Sequence, residues 1–313
     1  MKDGMDNKLV TLIGGGGFLG RYIAQALLAA GARVRIAQRD PRQAFFLKPQ
    51  GGLGQTQFVA VDVTRPDTIA NAVHGADGVV NLVGTFAGNL HRIHVDGARH
   101  VAEAAAQAGA ALVHVSAVGA NADGDSAYAR SKGAGEDAVR AACPAATILR
   151  PSTVFGREDQ FINRFAAMIA GLPVVPVLRA GARFQPVFVG DVARAAVTAL
   201  ADPETFGGRT FELGGPEVLT MLQLHQRIAF HTGRSPRLVA LPDALGSLLA
   251  ALPGTPITAD QWKMLGHDSV VGAGAEGLAA LGVAATPLDA VAPEWLVRYR
   301  KAGRFGMIGR AAG

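Results

Sequence analysis

Short apolar runs alternate with helical patterns through the first half of the chain. The apolar runs predict strands that are buried on both faces of a sheet, and the segments between them carry apolar residues three and four positions apart, which predicts helices. The predicted strands are 9–13, 34–37, 58–61, 78–83, 111–115 and 147–149. The predicted helices are 18–30, 65–73, 91–108 and 127–142. This alternation predicts an α/β fold with a Rossmann-type, doubly wound parallel sheet.

The pattern becomes less regular after Pro151. Prolines interrupt residues 173–186, a helix is predicted over 192–200 and a strand over 210–213, and the chain from about residue 220 is predicted to be helical with Pro and Gly breaks. We therefore expect a Rossmann domain of residues 1–156 and 186–215, a smaller, mostly helical lobe of 157–185 and 216–297, and a tail of 298–313. The apolar segment 238–252 predicts a core helix of the lobe or a face for a partner or membrane.

Composition and charge narrow the classes of function. Hydrophobic residues make up 49% of the 313 residues and charged residues 18%, so the chain can bury a large core. The net charge of +5 is compatible with nucleic-acid binding, but aromatic residues are only 6% and no basic stripe carries them, so we expect no nucleic-acid partner.

The C-terminal residues account for the positive charge. Residues 295–313 contain no acid and five bases, namely Arg298, Arg300, Lys301, Arg304 and Arg310. Two interpretations stay open for this basic tail, a solvated end and a segment that docks on an acidic partner or on anionic lipid headgroups.

The cysteine count, the N-terminus and the length of the apolar runs indicate the cellular location. Cys143 is the one cysteine, so no intramolecular disulfide can form, and the sequence fits a reducing compartment. The N-terminus lacks an apolar signal region, and no apolar run of about 18 residues occurs. We expect a cytoplasmic protein that does not span a membrane, and peripheral attachment to the inner face of the plasma membrane stays open. The eight histidines show no ligand spacing, so no metal site is predicted.

A glycine-rich loop follows the first predicted strand. Gly14, Gly17 and Gly20 fit G-x-x-G-x-x-G, and the loop opens the first predicted helix. Such a loop lets backbone N–H groups approach a pyrophosphate at a helix N-terminus. We therefore expect dinucleotide binding by the Rossmann domain, with Phe18 and Leu19 of the same loop also in contact with the cofactor.

The end of the second predicted strand bears on the choice of dinucleotide. Gln38 stands at the position where NAD-binding proteins carry an acid, and Arg39 follows it. An arginine there can pair with the 2′-phosphate, which favours NADP(H) over NAD(H). The alternative is that Arg39 is solvated and that Asp40 binds the ribose.

Polar residues also follow the third and fourth predicted strands. Asp62 and Val63 are predicted to lie beside the adenine, and Asn81, Val83 and Gly84 to line the cofactor crevice. Asp and Asn at strand ends are also common turn residues, so a purely local role is the alternative.

Tyr128 and Lys132 stand four residues apart in a predicted helix, so their side chains share one face. An ammonium beside a phenol lowers the tyrosine pKa, which suits a residue that passes a proton to or from a carbonyl oxygen. This pair predicts acid–base chemistry.

These motifs, in this order over about the first 215 residues, resemble the extended and atypical short-chain dehydrogenase/reductases, including the NAD-dependent epimerase/dehydratase family. Segments 149–156 and 186–193 share the resemblance. It implies catalytic roles for Tyr128 and Lys132 and a place beside the cofactor for Tyr128, Lys132 and Pro151. Within this group the chain is most similar to the complex I accessory-subunit family, alpha-subcomplex subunit 9, and its bacterial relatives, on segments 114–121, 258–265 and 281–289 and on Trp295.

Two residues depart from the pattern of the active members. The serine or threonine that polarises the substrate carbonyl is replaced by Val118, so only Ser116 or a water could supply that hydrogen bond. The asparagine that supports the lysine is replaced by His94, either a substitute donor or a surface residue. Removing one such donor costs about 100- to 1,000-fold in turnover.

Three functions therefore stay open. The first is an NADP(H)-binding accessory or assembly protein of a complex-I-like respiratory enzyme, with weak or altered catalysis and complex I subunits as partners. The second is an active NAD(P)-dependent oxidoreductase on a small apolar carbonyl or alcohol, quinone-like or isoprenoid-like. The third is a regulator that senses NADP(H).

Overall fold

The computed structural model describes residues 4–252 and 257–301. The strands are β1 (Leu9–Ile13), β2 (Arg33–Gln38), β3 (Thr56–Ala60), β4 (Gly78–Asn81), β5 (Ala111–Val115), β6 (Thr147–Pro151), β7 (Val154–Phe155), β8 (Val174–Val177), β9 (Arg183–Phe184), β10 (Val187–Phe188), β11 (Thr210–Leu213), β12 (Leu219–Thr220) and β13 (Arg237–Ala240). The α-helices are α1 (Phe18–Ala29), α2 (Pro66–Val73), α3 (Gly97–Gln107), α4 (Ala127–Ala142), α5 (Ile162–Gly171), α6 (Val189–Ala201), α7 (Pro203–Phe206), α8 (Met221–Thr232), α9 (Asp243–Ala251), α10 (Ala259–Met264), α11 (Leu288–Val291) and α12 (Pro293–Leu296). Pro41–Gln50, Leu278–Leu281 and Val297–Tyr299 form 3-10 helices, and His91–Asp96 forms a π-helix.

The chain divides into two compact units. The first comprises residues 1–151, 189–213 and 271–284, and the second comprises 152–188, 214–270 and 285–313. In the first unit seven strands form one sheet in the order β11-β6-β5-β4-β1-β2-β3. Every pairing in it is parallel. The predicted Rossmann-type, doubly wound fold is confirmed.

Alanine-rich helices cover this sheet closely. On α3, Val101, Ala102 and Ala105 are fully buried and belong to one core cluster with residues of β1, α2 and β4. Small side chains let the helix backbone approach the sheet, and packing against the apolar strands stabilises the helix more than its intrinsic propensity does.

Some element bounds differ from the sequence prediction. The predicted helix 91–108 begins as the π-helix His91–Asp96, and Pro41–Gln50, where no element was predicted, forms a 3-10 helix. The segment 238–252 is divided between β13 and α9, and large apolar side chains on α9 are exposed, so its interpretation as a core helix is wrong.

The second unit contains three two-stranded sheets, β7 with β10, β9 with β12, and β8 with β13. Its main core cluster joins side chains of α5 and α8 with Trp295 and Leu296. Helix α8 has a capping box between Thr220 and Gln223 at its N-terminus, and Gly233 caps its C-terminus. None of the helices in the described part of the chain is both long and apolar enough to cross a bilayer.

The predicted basic tail is only partly described, because residues 302–313 lie outside the described ranges. Arg298 donates a hydrogen bond of 2.6 Å to the Asn163 side chain, and Arg300 donates one of 3.1 Å to the His231 carbonyl. These two bases therefore bond to the second unit rather than belonging to a solvated end.

Candidate active site

The predicted site residues gather at one edge of the parallel sheet. The glycine loop follows β1, Arg39 follows β2, Asp62 and Val63 follow β3, and Ser116 follows β5. Asn81 and Pro151 are the last residues of β4 and β6. The strand order reverses between β1 and β4, and such a switch point at the carboxyl ends of the strands forms a ligand crevice in open α/β sheets.

The glycine loop has a backbone that other residues would not allow. Gly14 has φ of 85°, and its N–H donates a 2.7 Å hydrogen bond to the Ala37 carbonyl. A Cβ at Gly20 would lie 2.4 Å from the carbonyl oxygen of Gly15, so Gly20 is what lets α1 approach the loop. Helix α1 has neither a side-chain cap nor an acid in its first turn. These features fit a pyrophosphate at the α1 N-terminus.

A basic pocket lies beside the end of β2. It has a volume of about 750 Å³ and is lined by Arg39, Asp40, Pro41, Arg42, Phe45, Lys48 and Phe58. The Asp40 carboxylate accepts hydrogen bonds from the backbone and side chain of Arg42, and these bonds hold the pKa of Asp40 below its usual value. Arg42 and Lys48 escaped the sequence reasoning because the 3-10 helix that carries them was not predicted.

Asp62 makes hydrogen bonds within its own loop, and Asn81 bonds both its own loop and the neighbouring strand β5. Asp62 Oδ1 accepts bonds of 2.9 and 2.8 Å from the backbone and hydroxyl of Thr64, and these bonds lower the pKa of Asp62. Asn81 bonds the ring of His114 at 3.2 Å and accepts from the Val83 N–H at 3.2 Å. Both side chains thus shape the loops of the crevice, and Val63 packs in the core.

Tyr128 and Lys132 share one face of α4, but burial changes their chemistry. The Lys132 ammonium donates a 2.9 Å bond to the Val115 carbonyl, and burial lowers its pKa to about 8, against an opposing effect of Glu136. Burial raises the pKa of Tyr128 to about 12. The expectation that Lys132 lowers the tyrosine pKa is wrong for this arrangement, because desolvation dominates.

Two aromatic rings flank Tyr128. Phe86, in the loop after β4, stacks on it with ring centroids 4.5 Å apart, and His94 meets it edge-on at 5.6 Å. Phe86 is itself exposed. The sequence reasoning missed Phe86, and neither its spacing nor its neighbours in the chain would have placed it against the tyrosine.

His94 is buried, with 2% of its surface exposed, so the surface alternative is wrong. Its Nε2 accepts a 3.0 Å hydrogen bond from the Thr85 N–H. Its Nδ1 lies 2.8 Å from the Ser131 hydroxyl, which itself donates to the Tyr128 carbonyl, so Nδ1 carries the proton. Burial and Lys132 lower the pKa of His94 to about 4, and the ring is neutral at pH 7.

Ser116 and Val118 occupy the loop after β5. Ser116 has 5% of its surface exposed, and its buried hydroxyl has no hydrogen-bond partner among the described residues. The Val118 N–H donates to the Pro151 carbonyl at 3.0 Å, and its side chain offers no donor. A buried hydroxyl without a partner costs about 1–3 kcal/mol, so Ser116 is an unsatisfied polar group in this loop.

The glycine loop, the crevice and the Tyr128–Lys132 pair define a Rossmann protein of the dinucleotide-binding class. A model of the NAD dependent epimerase/dehydratase family matches residues 10–214. The chain belongs to this family, and nicotinamide dinucleotide binding, which the family implies, fits the geometry of the loop.

The resemblance to the short-chain dehydrogenase/reductases and to the complex I accessory-subunit family is confirmed by the relatives of this chain. The chain is 34% identical to NADH dehydrogenase (ubiquinone) 1 alpha subcomplex subunit 9, mitochondrial, of Arabidopsis thaliana, over 95% of this chain and 80% of that protein. The mouse protein of the same name is 35% identical over 93% of this chain and 80% of its own length. Ceramide reductase of Caulobacter vibrioides is 33% identical over 79% of this chain and 80% of that protein.

Solved structures agree on the fold. A crystal structure from Burkholderia cenocepacia aligns with a TM-score of 0.66 at 20% identity and covers 95% of this chain and 99% of that one. An epimerase of Methanothermobacter thermautotrophicus aligns with a TM-score of 0.64 at 20% identity, over 76% and 80% of the two chains. At this identity the likeness concerns the fold alone.

Proposed function

We propose that this protein is an NADP(H)-binding, short-chain dehydrogenase/reductase-like accessory or assembly protein of a complex-I-like respiratory enzyme, with weak or altered catalysis. The observation that carries the proposal is Val118, an apolar side chain where active members of the group place the donor that polarises the carbonyl. Tyr128 supports it, because burial raises its pKa to about 12 and the phenolate that would take up a proton is then scarce at neutral pH.

The basic pocket beside β2 supports NADP(H) as the cofactor. Arg39, Arg42 and Lys48 line it, and an arginine at this place can pair with a 2′-phosphate. Lys132 would hold the nicotinamide ribose through the ammonium that now bonds the Val115 carbonyl, and Ser116 would bond the nicotinamide end. When bound, the cofactor supplies hydride chemistry, while Tyr128 would hold or move the proton at its hydroxyl.

The partner and the location follow from the relatives and from the charge. Two relatives are named as subunits of NADH dehydrogenase, and we extend that association to this chain. The remaining bases of this segment, Lys301, Arg304 and Arg310, would attach the protein to an acidic subunit or to anionic lipid at the inner face of the plasma membrane.

Restoring the missing donor tests the catalytic part of this proposal. Val118→Ser should raise NADPH-dependent turnover on a panel of long-chain ketones and quinones by about 100-fold, because one preorganised donor contributes about that much. Ala120→Ser, two residues further in the same loop, is the matched control and should change nothing. A wild-type turnover already typical of reductases would contradict the proposal.

Purification under mild detergent tests the association of this protein with respiratory complex I. The tagged full chain should bring down respiratory complex I subunits, identified by mass spectrometry, and NADPH should come with the protein in stoichiometric amount. The absence of both would overturn the accessory role.

An active reductase is the second candidate. One relative is named ceramide reductase, and the buried Ser116 hydroxyl is available to polarise a carbonyl in place of position 118. On this view Tyr128→Phe and Ser116→Ala should each abolish turnover of a long-chain ketone without changing NADPH affinity. If only the cofactor affinity falls, these residues hold the nucleotide and the first proposal stands.

A further inference from the structure

The loop that follows β4, residues 82–90, presents Phe86 to Tyr128. The two rings stack with centroids 4.5 Å apart and planes 24° apart, although 61% of the Phe86 surface is exposed. An exposed phenylalanine gains less from burial than one in a core does, so the position of its ring depends on the loop backbone that carries it. The hydrogen bonds of this loop therefore decide how well Tyr128 is covered.

Two sets of hydrogen bonds hold the loop on either side of Phe86. The Thr85 hydroxyl donates to the Ala87 carbonyl and accepts from the Ala87 N–H, both at 3.1 Å, which folds the loop around Phe86. The Thr85 N–H donates a 3.0 Å bond to His94 Nε2. His94 belongs to the π-helix His91–Asp96, so this second bond ties the loop to a different element directly beside Phe86.

The other nitrogen of His94 bonds the helix that carries the tyrosine. Nδ1 lies 2.8 Å from the Ser131 hydroxyl, which donates to the Tyr128 carbonyl at 2.9 Å. The backbones of the π-helix and α4 are in close contact, since a Cβ at Gly135 would lie 2.3 Å from the His94 carbonyl oxygen. A π-helical turn is rare and frequently occurs at functional sites. One imidazole thus links the backbone beside Phe86 to the turn of α4 that carries Tyr128.

We propose that His94 is a positioning residue that holds Phe86 over Tyr128, and that Phe86 thereby keeps water away from the phenol. A covered phenol stays protonated, because desolvation disfavours the phenolate. The inference rests on the proposed function only in taking Tyr128 as the group that holds or moves the proton. Its test needs neither turnover nor cofactor, so a failure of this inference and a failure of the proposed function are recognised separately.

Nitration by tetranitromethane at about pH 8 tests this inference on the full-length protein. The reagent attacks the phenolate of accessible tyrosines, and peptide mass spectrometry measures each tyrosine by itself. The chain has three tyrosines, and all are partly buried, so Tyr22 and Tyr299 are internal references for Tyr128. Phe86→Ala should raise the rate at Tyr128, relative to these references, by at least about tenfold, because a pKa lower by one unit gives about ten times more phenolate. Lys132 is unchanged in this variant.

Two further variants each cut one of the two links through His94. In His94→Asn the amide lies near the place of Nδ1, so it can bond Ser131 but does not reach the Thr85 N–H. Ser131→Ala removes the partner on α4 and leaves His94 in place, and alanine favours a helix more than serine does, so α4 stays folded. Both variants should raise the rate at Tyr128 in the same direction as Phe86→Ala, by a smaller factor.

Matched controls separate this positioning role from a merely structural one. Phe230→Ala removes another exposed phenylalanine and His225→Asn another buried histidine, both on α8, and neither should change the rate at Tyr128. A rise in Phe86→Ala without a rise in both linking variants would overturn the role of His94. A rise at all three tyrosines together would mean a general loosening of the fold, and an unchanged rate in Phe86→Ala would mean that Phe86 does not cover the phenol. Either result overturns the inference.

Discussion

At the scale of single residues, spacing predicted which side chains share a face, and the surroundings decided their chemistry. Tyr128 and Lys132 lie on one face of α4 as expected, yet burial raises the pKa of Tyr128 to about 12 and lowers that of Lys132 to about 8. Lys132 is aimed at the Val115 carbonyl. The desolvation that shifts a pKa depends on every neighbour in space. The spacing of two residues along the sequence therefore does not determine how large the pKa shift is.

Arg39 is the residue that we expect to select NADP(H) over NAD(H). Arg39→Ala should raise the Kd for NADPH by about 10- to 100-fold, the equivalent of a lost charge-assisted hydrogen bond, and leave the Kd for NADH unchanged. Titration by nucleotide fluorescence measures both. Arg33→Ala, an exposed arginine at the other end of β2, is the control. An unchanged ratio of the two Kd values would show that NADP(H) is not selected by Arg39.

At the scale of elements, an ion-pair network joins α4 to two strands of the sheet. Arg150 on β6 bonds the buried carboxylate of Glu136 on α4 at 2.6 Å and that of Glu212 on β11 at 3.3 Å. Glu136 also raises the pKa of Lys132, so the network supports the charge of the lysine. Nothing in the spacing of these three residues along the chain predicted the network, because β11 reaches β6 only through the fold.

Arg150→Met should therefore lower the free energy of unfolding by about 3 kcal/mol, since it leaves a buried carboxylate without its partner. Arg99→Met breaks an exposed pair with Glu103 one helical turn away and should cost less than about 0.5 kcal/mol. Urea unfolding of both variants measures the difference. Equal losses would mean that the network is not what holds α4 to the sheet.

At the scale of the whole molecule, three buried histidines, His94, His114 and His225, have lowered pKa values and make stability sensitive to acid. The folded pKa of His94 is about 4 and that of His114 is also well below the ordinary value near 6.5. Because these folded values are depressed, the unfolded chain binds more protons between about pH 6.5 and pH 4. Stability should be complete at neutral pH and fall as the pH drops through this window.

The expected loss from His94 alone is about 2 kcal/mol at pH 4.5, where each pKa unit corresponds to about 1.4 kcal/mol. Urea unfolding at pH 7 and at pH 4.5 measures it. His94→Gln keeps a hydrogen-bonding side chain without the titration and should lose less on acidification than wild type. An identical loss in this variant would assign the acid sensitivity to other groups, His114 first among them.

The sequence by itself determined the sheet and the loop. The runs at 9–13, 111–115 and 210–213 became β1, β5 and β11 at those bounds, and the helix predicted over 127–142 became α4, because apolar runs and helical periods are local consequences of which face is buried. The glycine loop could also be predicted from the sequence, because its requirement for glycine is local. The turn and the close approach of α1 need glycine wherever the rest of the chain lies.

Only the tertiary structure decided the rest. It buried His94 and bonded both of its nitrogens, stacked Phe86 on Tyr128, grouped Arg42 and Lys48 with Arg39, and turned the leucines of α9 outward. Each of these facts depends on residues far apart in the chain or on which face of an element finds a neighbour. Contacts of that kind are set by packing between elements, which periodicity and spacing along one strand or helix do not encode.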